Sequence, residues 1–171
     1  MSSKQSGSFA DMIIERLVVD SSVAVKWFLK DKLEADVDLA NEILFQYLSG
    51  ALELHAPSIF HHEVDGALTR ACLTRFERGG PPRMTVENAL AALETLGSYP
   101  ITIHTPTLEE RQQILNMAVD YSKGNYDMLY IWLAEQLDCQ WCTADDRFLI
   151  SIREGFPIHR VLLLSSLRAE S

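Results

Sequence analysis

The 171-residue chain predicts an α/β fold built on a mostly parallel sheet. Two observations carry this reading: short apolar stretches alternate with segments of helical periodicity, and no tight hairpin signal joins any two of those stretches. Neighbouring strands must then be linked by helical crossovers, which are right-handed in such sheets. The length fits one domain, of which roughly two-thirds of the unfolded surface is buried at this size. The expected organisation is a tail and lead-in over residues 1–16, a single α/β domain over 17–166 and a short C-terminal tail over 167–171.

Leu17-Val18-Val19 reads as a buried strand, and Ser21-Ser22 after Asp20 supplies hydroxyls suited to capping a helix through Val23-Ala24-Val25-Lys26-Trp27-Phe28. Glu34 to Leu48 carries apolar residues at Val37, Ala40, Ile43, Leu44, Tyr47 and Leu48, which is helical spacing, with Gly50 as its stop. Leu52-Glu53-Leu54-His55 alternates like a strand. Pro57 and Ser58 open a third helix to about Phe76, with Phe60, Val64, Ala67, Leu68 and Ala71 on one face. The Gly79-Gly80-Pro81-Pro82 cluster ends it and is the clearest loop in the chain.

Thr85 begins a further helix, Ile101-Thr102-Ile103 a strand, and Thr107 the next helix, where Glu110 is spaced for a capping box. A helix from Asp127 to Gln136, a strand from Gln140 to Thr143, a short helix from Asp146 and a last strand from Val161 to Leu164 complete the pattern. There is no internal repeat. The Ser-rich stretch Met1 to Ala10 lacks the apolar core of a secretory signal and reads as a flexible tail.

The formal charge is −9, which argues against a protein that holds nucleic acid by bulk charge. Any such contact must use a local patch, for which Lys26, Lys30, Arg70, Arg75, Arg78, Arg83 and Arg147 are candidates; most exposed cations are simply solvated. Cys72, Cys139 and Cys142 form no paired framework, and no apolar run approaches the ~20 residues of a membrane span. A reducing cytoplasm is the expected compartment.

Four carboxylates stand where apolar stretches end or helices run: Asp20, Glu63, Asp127 and Asp145. Ligands in parallel sheets bind at the carboxyl ends of strands, where Asp20 and Asp145 fall. Each aspartate taken alone is explained as a helix cap. Glu63 is not, because its neighbours at helical spacing are apolar and a carboxylate there is costly without a partner, either a site or a cation such as Arg70. Acids crowded into one cleft repel one another unless a metal neutralises them, so the set points to a hard divalent cation.

Other chemistries fit less well. Cys139 and Cys142 have zinc-ribbon spacing but no second pair, and residues three apart in a strand face opposite ways. His62-Glu63 opens like a zinc-protease helix, yet Gly66 stands where the second histidine belongs. There is no Gly-rich phosphate loop, so a nucleotide cofactor is not implied. His55, His104 and His159 read as isolated histidines, and Trp27, Trp132 and Trp141 as core.

The acidic segments resemble those of the PIN domain ribonucleases, and within them the VapC-type toxins of toxin-antitoxin pairs. Val18-Val19-Asp20-Ser21-Ser22-Val23 is similar to the family's opening motif. Glu63-Val64-Asp65-Gly66-Ala67-Leu68 resembles the second, with Gly66 where asparagine is usual; Tyr126-Asp127-Met128-Leu129 and Thr143-Ala144-Asp145-Asp146-Arg147-Phe148 resemble the third and fourth. The resemblance spans about residues 17–164. It implies a three-layer α/β/α sandwich with a five-stranded sheet, Mg²⁺ or Mn²⁺ held by Asp20, Glu63, Asp127 and Asp145, and RNA as substrate. It also implies a homodimer and a cognate antitoxin.

On that reading a metal-activated water attacks phosphorus, with Asp20 and Asp145 as direct ligands and Asp127 and Glu63 acting through water or on a second ion. Ser22 and Thr143 would position ligand or phosphate, and Asp146 would serve from outside the ligand set. The alternatives are a catalytically silent binding module on the same scaffold and another acid-metal phosphohydrolase. Against the latter, Ser22 replaces the second aspartate of an Asp-x-Asp start.

Overall fold

A computed structural model describes residues 14–30, 33–75, 77–150 and 152–168. The expected tail over Met1–Ala10, the last three residues and Phe76 lie outside them. Five strands, β1 (Arg16–Val19), β2 (Glu53–Pro57), β3 (Thr102–His104), β4 (Gln140–Thr143) and β5 (Val161–Leu163), form one sheet in the order β3-β2-β1-β4-β5. Every pairing is parallel. The chain leaves β1 toward β2 and β3 on one side and later returns to β4 and β5 on the other. The crevice beyond the carboxyl ends of β1 and β4 is therefore the switch point where such sheets bind ligands.

Strand alternation builds two cores. Leu17, Val19 and Cys142 face helices α1 (Ser21–Ala24), α2 (Val37–Leu48), α3 (Phe60–Leu73) and α4 (Val86–Ser98), whereas Val18 and Trp141 face α5 (Leu108–Tyr121) and α6 (Asn125–Gln136). The result is the α/β/α sandwich expected. Cys139 and Cys142 belong to opposite cores, so they form neither a clasp nor a redox pair. All three tryptophans are buried.

Helix α3 buries Phe60, Val64, Leu68 and Ala71, four of the five residues of the apolar face read from the sequence, while Ala67 lines the cavity, and that face fixes the rotation at which Glu63 is presented. Truncating Leu68 to Ala would cost about 2–5 kcal/mol and loosen that aim. The central helix α6 buries Met128 and the whole run from Tyr130 to Ala134. A helix apolar nearly all round belongs inside, and this one carries Asp127 and Tyr130 at its site end. The capping box at Thr107 and Glu110 is present, with both reciprocal hydrogen bonds.

Several details depart from the expectations. Asp20, not the serine pair, caps α1, which continues as a 3-10 turn over Val25–Trp27. Helix α2 starts at Val37 because Asp36 adopts a left-handed φ of 57°, which leaves Glu34 in the preceding loop. Helix α6 begins at Asn125, so Asp127 is its third residue. His55 and His104 are not isolated: the β2–β3 pairing brings Nδ1 of one within 3.0 Å of Nε2 of the other. At the C-terminus a 3-10 turn over Leu164–Leu167 buries Leu167, at the start of the expected tail.

Candidate metal centre

The four carboxylates predicted from the sequence line one cavity of about 890 Å³ at the carboxyl end of the sheet. Asp20 leaves β1 with its backbone N–H donating to Cys142 O at 2.9 Å, which prolongs the β1–β4 pairing by one residue. Its Oδ1 accepts the Ser22 N–H at 2.7 Å, and its Oδ2 accepts the Trp141 indole N–H at 2.9 Å. The side chain is thus locked by a helix N-terminus and an aromatic donor. Burial nonetheless raises its pKa, against the lowering effect of the hydrogen bonds from Ser22, Trp141 and Thr143.

Glu63 enters from the first turn of α3 and accepts the Tyr130 hydroxyl at 2.5 Å. The partner is this phenol rather than Arg70. The Glu63 pKa is raised first by burial and then by the charges of Asp20 and Asp127. Asp127 folds back over the start of α6, and a Cβ at the capping residue Gly124 would stand 3.2 Å from its Oδ2. Glycine there leaves the carboxylate its room. Burial, then Asp20 and Asp145, raise the pKa of Asp127, and only Lys123 opposes them.

Asp145 behaves differently. It caps the 3-10 turn Asp146–Leu149, and Arg147 forks onto it, Nε to Oδ1 at 2.9 Å and Nη2 to Oδ2 at 2.8 Å. That guanidinium holds its carboxyl below the usual range. Ser22 and Thr143 tie the elements together: their hydroxyls lie 3.4 Å apart, and Ser22 Oγ accepts the Ala144 N–H at 2.9 Å. Asp146 lines the cavity beside Asp145.

Two residues that the sequence reading assigned to the core or passed over belong to the site. Trp141 and Tyr130 stack with centroids 5.5 Å apart and planes 21° from parallel, and each donates to one of the acids. One aromatic pair therefore sets the separation of Asp20 and Glu63. A signal existed, since Tyr130 lies three residues after Asp127 and so on the same helix face. Phe148 packs edge-on against Trp141, and Lys123 lies over the Phe148 ring while donating to the carbonyls of Phe148 and Ile150.

A donor set made only of carboxylate oxygens, three of them driven toward their neutral forms by burial and two of these, Glu63 and Asp127, also by neighbouring acids, fits a hard divalent cation in its chemistry. As the side chains stand, no group of three or more His, Cys, Asp or Glu among the described residues is arranged to hold an ion. Asp145 is engaged by Arg147 and Glu63 by Tyr130.

No protein-family model matches the chain, and no curated protein matches it in sequence. Solved structures do. The chain is similar to the Mycobacterium tuberculosis VapC20, a sarcin-ricin loop cleaving toxin, at 15% identity and TM-score 0.55, covering 81% of this chain and 97% of that one. It is similar to a toxin-antitoxin complex from Klebsiella pneumoniae at 11% identity and TM-score 0.56, covering 88% and 98%. A third likeness is to VapBC2 from Rickettsia felis bound to a promoter DNA fragment, at 12% identity and TM-score 0.53, covering 86% and 98%. The fold is the PIN-type sandwich that VapC toxins carry.

Proposed function

We propose that the chain is a divalent-metal-dependent endoribonuclease and the toxin of a toxin-antitoxin pair. The observation that carries this is the placement of Asp20, Glu63, Asp127 and Asp145 around one cavity, close enough that their charges raise the pKa of Glu63 and Asp127. Asp20 and Asp145 would hold Mg²⁺ or Mn²⁺ directly, and Glu63 and Asp127 would act through water or on a second ion. The chemistry such an ion supplies is charge stabilisation at phosphorus and a lowered pKa for water.

The chain's own residues do the rest. Trp141 and Tyr130 hold Asp20 and Glu63 in place, Ser22 and Thr143 fix the strand end, and Asp127 opens on the cavity where a water must be oriented. Arg147 must release Asp145 before that carboxylate can serve. On this reading the chain works in the cytoplasm as a homodimer and is restrained by an antitoxin. One structural neighbour being a toxin-antitoxin complex supports the antitoxin, and no helix among the described residues is long and apolar enough to cross a membrane.

A second reading, a PIN-like binding module without catalysis, is favoured by the fork of Arg147 on Asp145. Cleavage of a mixed RNA pool in Mg²⁺, Mn²⁺ or EDTA, run beside Asp20→Asn, separates the two. Metal-dependent cutting lost in the variant is expected. Cutting in excess EDTA, or by Asp20→Asn at the wild-type rate, would overturn the nuclease assignment. Metal binding without any cutting would favour the binding module.

A further inference from the structure

Five cations line the cavity, Lys26, Arg70, Arg83, Lys123 and Arg147, and four of them are already engaged. Lys26 and Arg83 hold the two oxygens of Glu34, Arg147 forks onto Asp145, and Lys123 donates to the carbonyls of Phe148 and Ile150. Arg70 is different. Among the described residues its guanidinium makes no hydrogen bond and no ion pair, and the side chain is exposed.

Helix α3 carries Arg70 on one stripe with Glu63 and Ala67, four and then three residues apart, and all three line the cavity. Glu63 and Arg70 are separated by about 10 Å of helix axis, and Ala67 between them keeps the floor low. Long side chains on a helix lean toward its N-terminus, and Arg70 does so: a Cβ at Gly66 would stand 3.5 Å from its Nη1. The guanidinium therefore lies over Gly66, about one turn nearer the acids than its own Cα. Alanine at position 66 would be in ordinary contact with it, and a longer side chain would compete for its place.

The acids do not take this cation as a partner. Glu63 accepts the Tyr130 hydroxyl, and its pKa is raised by burial and by Asp20 and Asp127, so negative charge gathers at one end of the stripe while a cation stands at the other. In a chain of net charge −9, bulk attraction for a polyanion is absent, and the four acids repel phosphate until an ion neutralises them. A strand crossing such a centre needs a cation beyond the acids. A planar guanidinium with its donors unspent suits two oxygens of one phosphodiester.

We propose that Arg70, laid across Gly66, is a phosphate anchor for an RNA strand, holding a phosphodiester next to the one that lies at the acids. This rests on the nuclease reading above for the identity of the strand. Arg70 is a positioning residue: it holds the substrate and takes no part in the chemistry.

The test is binding of a fluorescein-labelled single-stranded RNA to the full chain in EDTA, where cutting does not intervene, read by anisotropy across a salt series. Arg70→Gln should bind about tenfold more weakly, the value of a charge-assisted hydrogen bond. Its slope of log affinity against log salt should flatten by about 0.7, one phosphate contact fewer on a single strand. Arg70→Lys should keep the slope, because it keeps the charge, and lose part of the affinity with the fork. Gly66→Ala should keep both and melt higher. Gly66→Leu should lose as much as Arg70→Gln, and adding it to Arg70→Gln should cost nothing further.

Melting curves establish that each variant folds, and Arg70→Gln should melt as the wild type does. A lower melting temperature for Arg70→Gln with RNA affinity and salt slope unaltered means a structural role and overturns the proposal. So does the absence of saturable wild-type binding at low salt. Further loss from Gly66→Leu in the Arg70→Gln background means that leucine obstructs the strand, and overturns the role given to Gly66. If Gly66→Leu does not fold, the two Arg70 variants decide. Cutting by the wild type in Mn²⁺ with no change in RNA binding for Arg70→Gln would sink the anchor alone. The expected binding pattern with no cutting under any metal would sink the nuclease reading and leave the anchor standing.

Discussion

The two ends of the same parallel sheet treat charge in opposite ways. At the amino end a cavity of about 700 Å³ is lined by Arg16, Glu53 and Asp138 among others, and there two of the acids are matched: Glu53 with Arg16 at 3.1 Å, and Asp138 with Arg160 at 2.7 Å. The pKa of Glu53 is accordingly lowered, first by the Arg16 hydrogen bond. At the carboxyl end Glu63 meets a phenol and two other carboxylates, and its pKa is raised. The same residue type is a solvated ion-pair partner at one end and a poorly neutralised charge at the other. Among the described residues the carboxylates whose pKa is raised, Asp20, Glu63 and Asp127, all lie at the switch point, which is where ligands bind in such sheets.

The largest effect expected from breaking this asymmetry is on cleavage. Asp20→Asn should lower the RNA cleavage rate by on the order of 10³-fold, while far-UV circular dichroism stays unchanged. Asparagine keeps an acceptor for Ser22, loses one for Trp141, and relieves the repulsion on Glu63 and Asp127. Next come the aromatic donors. Tyr130→Phe and Trp141→Phe keep the stack but remove a hydrogen bond each, and calorimetry should read Mn²⁺ affinity roughly 10- to 100-fold weaker.

The pH response has a definite sign. Asp20, Glu63 and Asp127 have raised native pKa values, so their contribution to stability is fully present below their ordinary values of 3.8 and 4.5. It is lost as pH rises through the native values above these. The melting temperature of the metal-free protein should fall over that interval and recover at neutral pH on adding Mg²⁺. Asp145 runs the other way: its lowered pKa gives stability present above 3.8 and lost as pH falls through the native value. A metal-free protein whose stability rises steadily to neutrality would contradict the contrast between the two ends.

Smaller effects sharpen it. Arg147→Gln frees Asp145 and should tighten Mn²⁺ binding by up to about fivefold, since the displaced pair is largely exposed. At the matched end, Glu53→Gln should change neither Mn²⁺ affinity nor cleavage. An effect there as large as at Asp20 would mean that the contrast carries no functional content.

Much of this was legible in the sequence because the informative residues break a pattern. An acid directly after Leu17-Val18-Val19, or within the apolar face of α3, conflicts with burial, and the conflict marks Asp20 and Glu63. Strands and helices were legible because α/β crossovers impose two different periods on one chain. What was hidden depends on tertiary register. Trp141 and Tyr130 look like core because they are core, and only the pairing of β1 with β4 shows that the Trp141 N–H faces Asp20. Glu34 looked like a helix start because the apolar spacing after it is helical; the left-handed Asp36 that cuts it off leaves no such trace. The His55–His104 contact likewise exists only through the alignment of β2 with β3.

The most direct test of the central claim is a calorimetric titration of Mn²⁺ into the wild-type chain, Asp20→Asn and Glu53→Gln at neutral pH. The account predicts saturable binding to the wild type and to Glu53→Gln, and its loss in Asp20→Asn. Equal binding to all three, or none to the wild type, would contradict it.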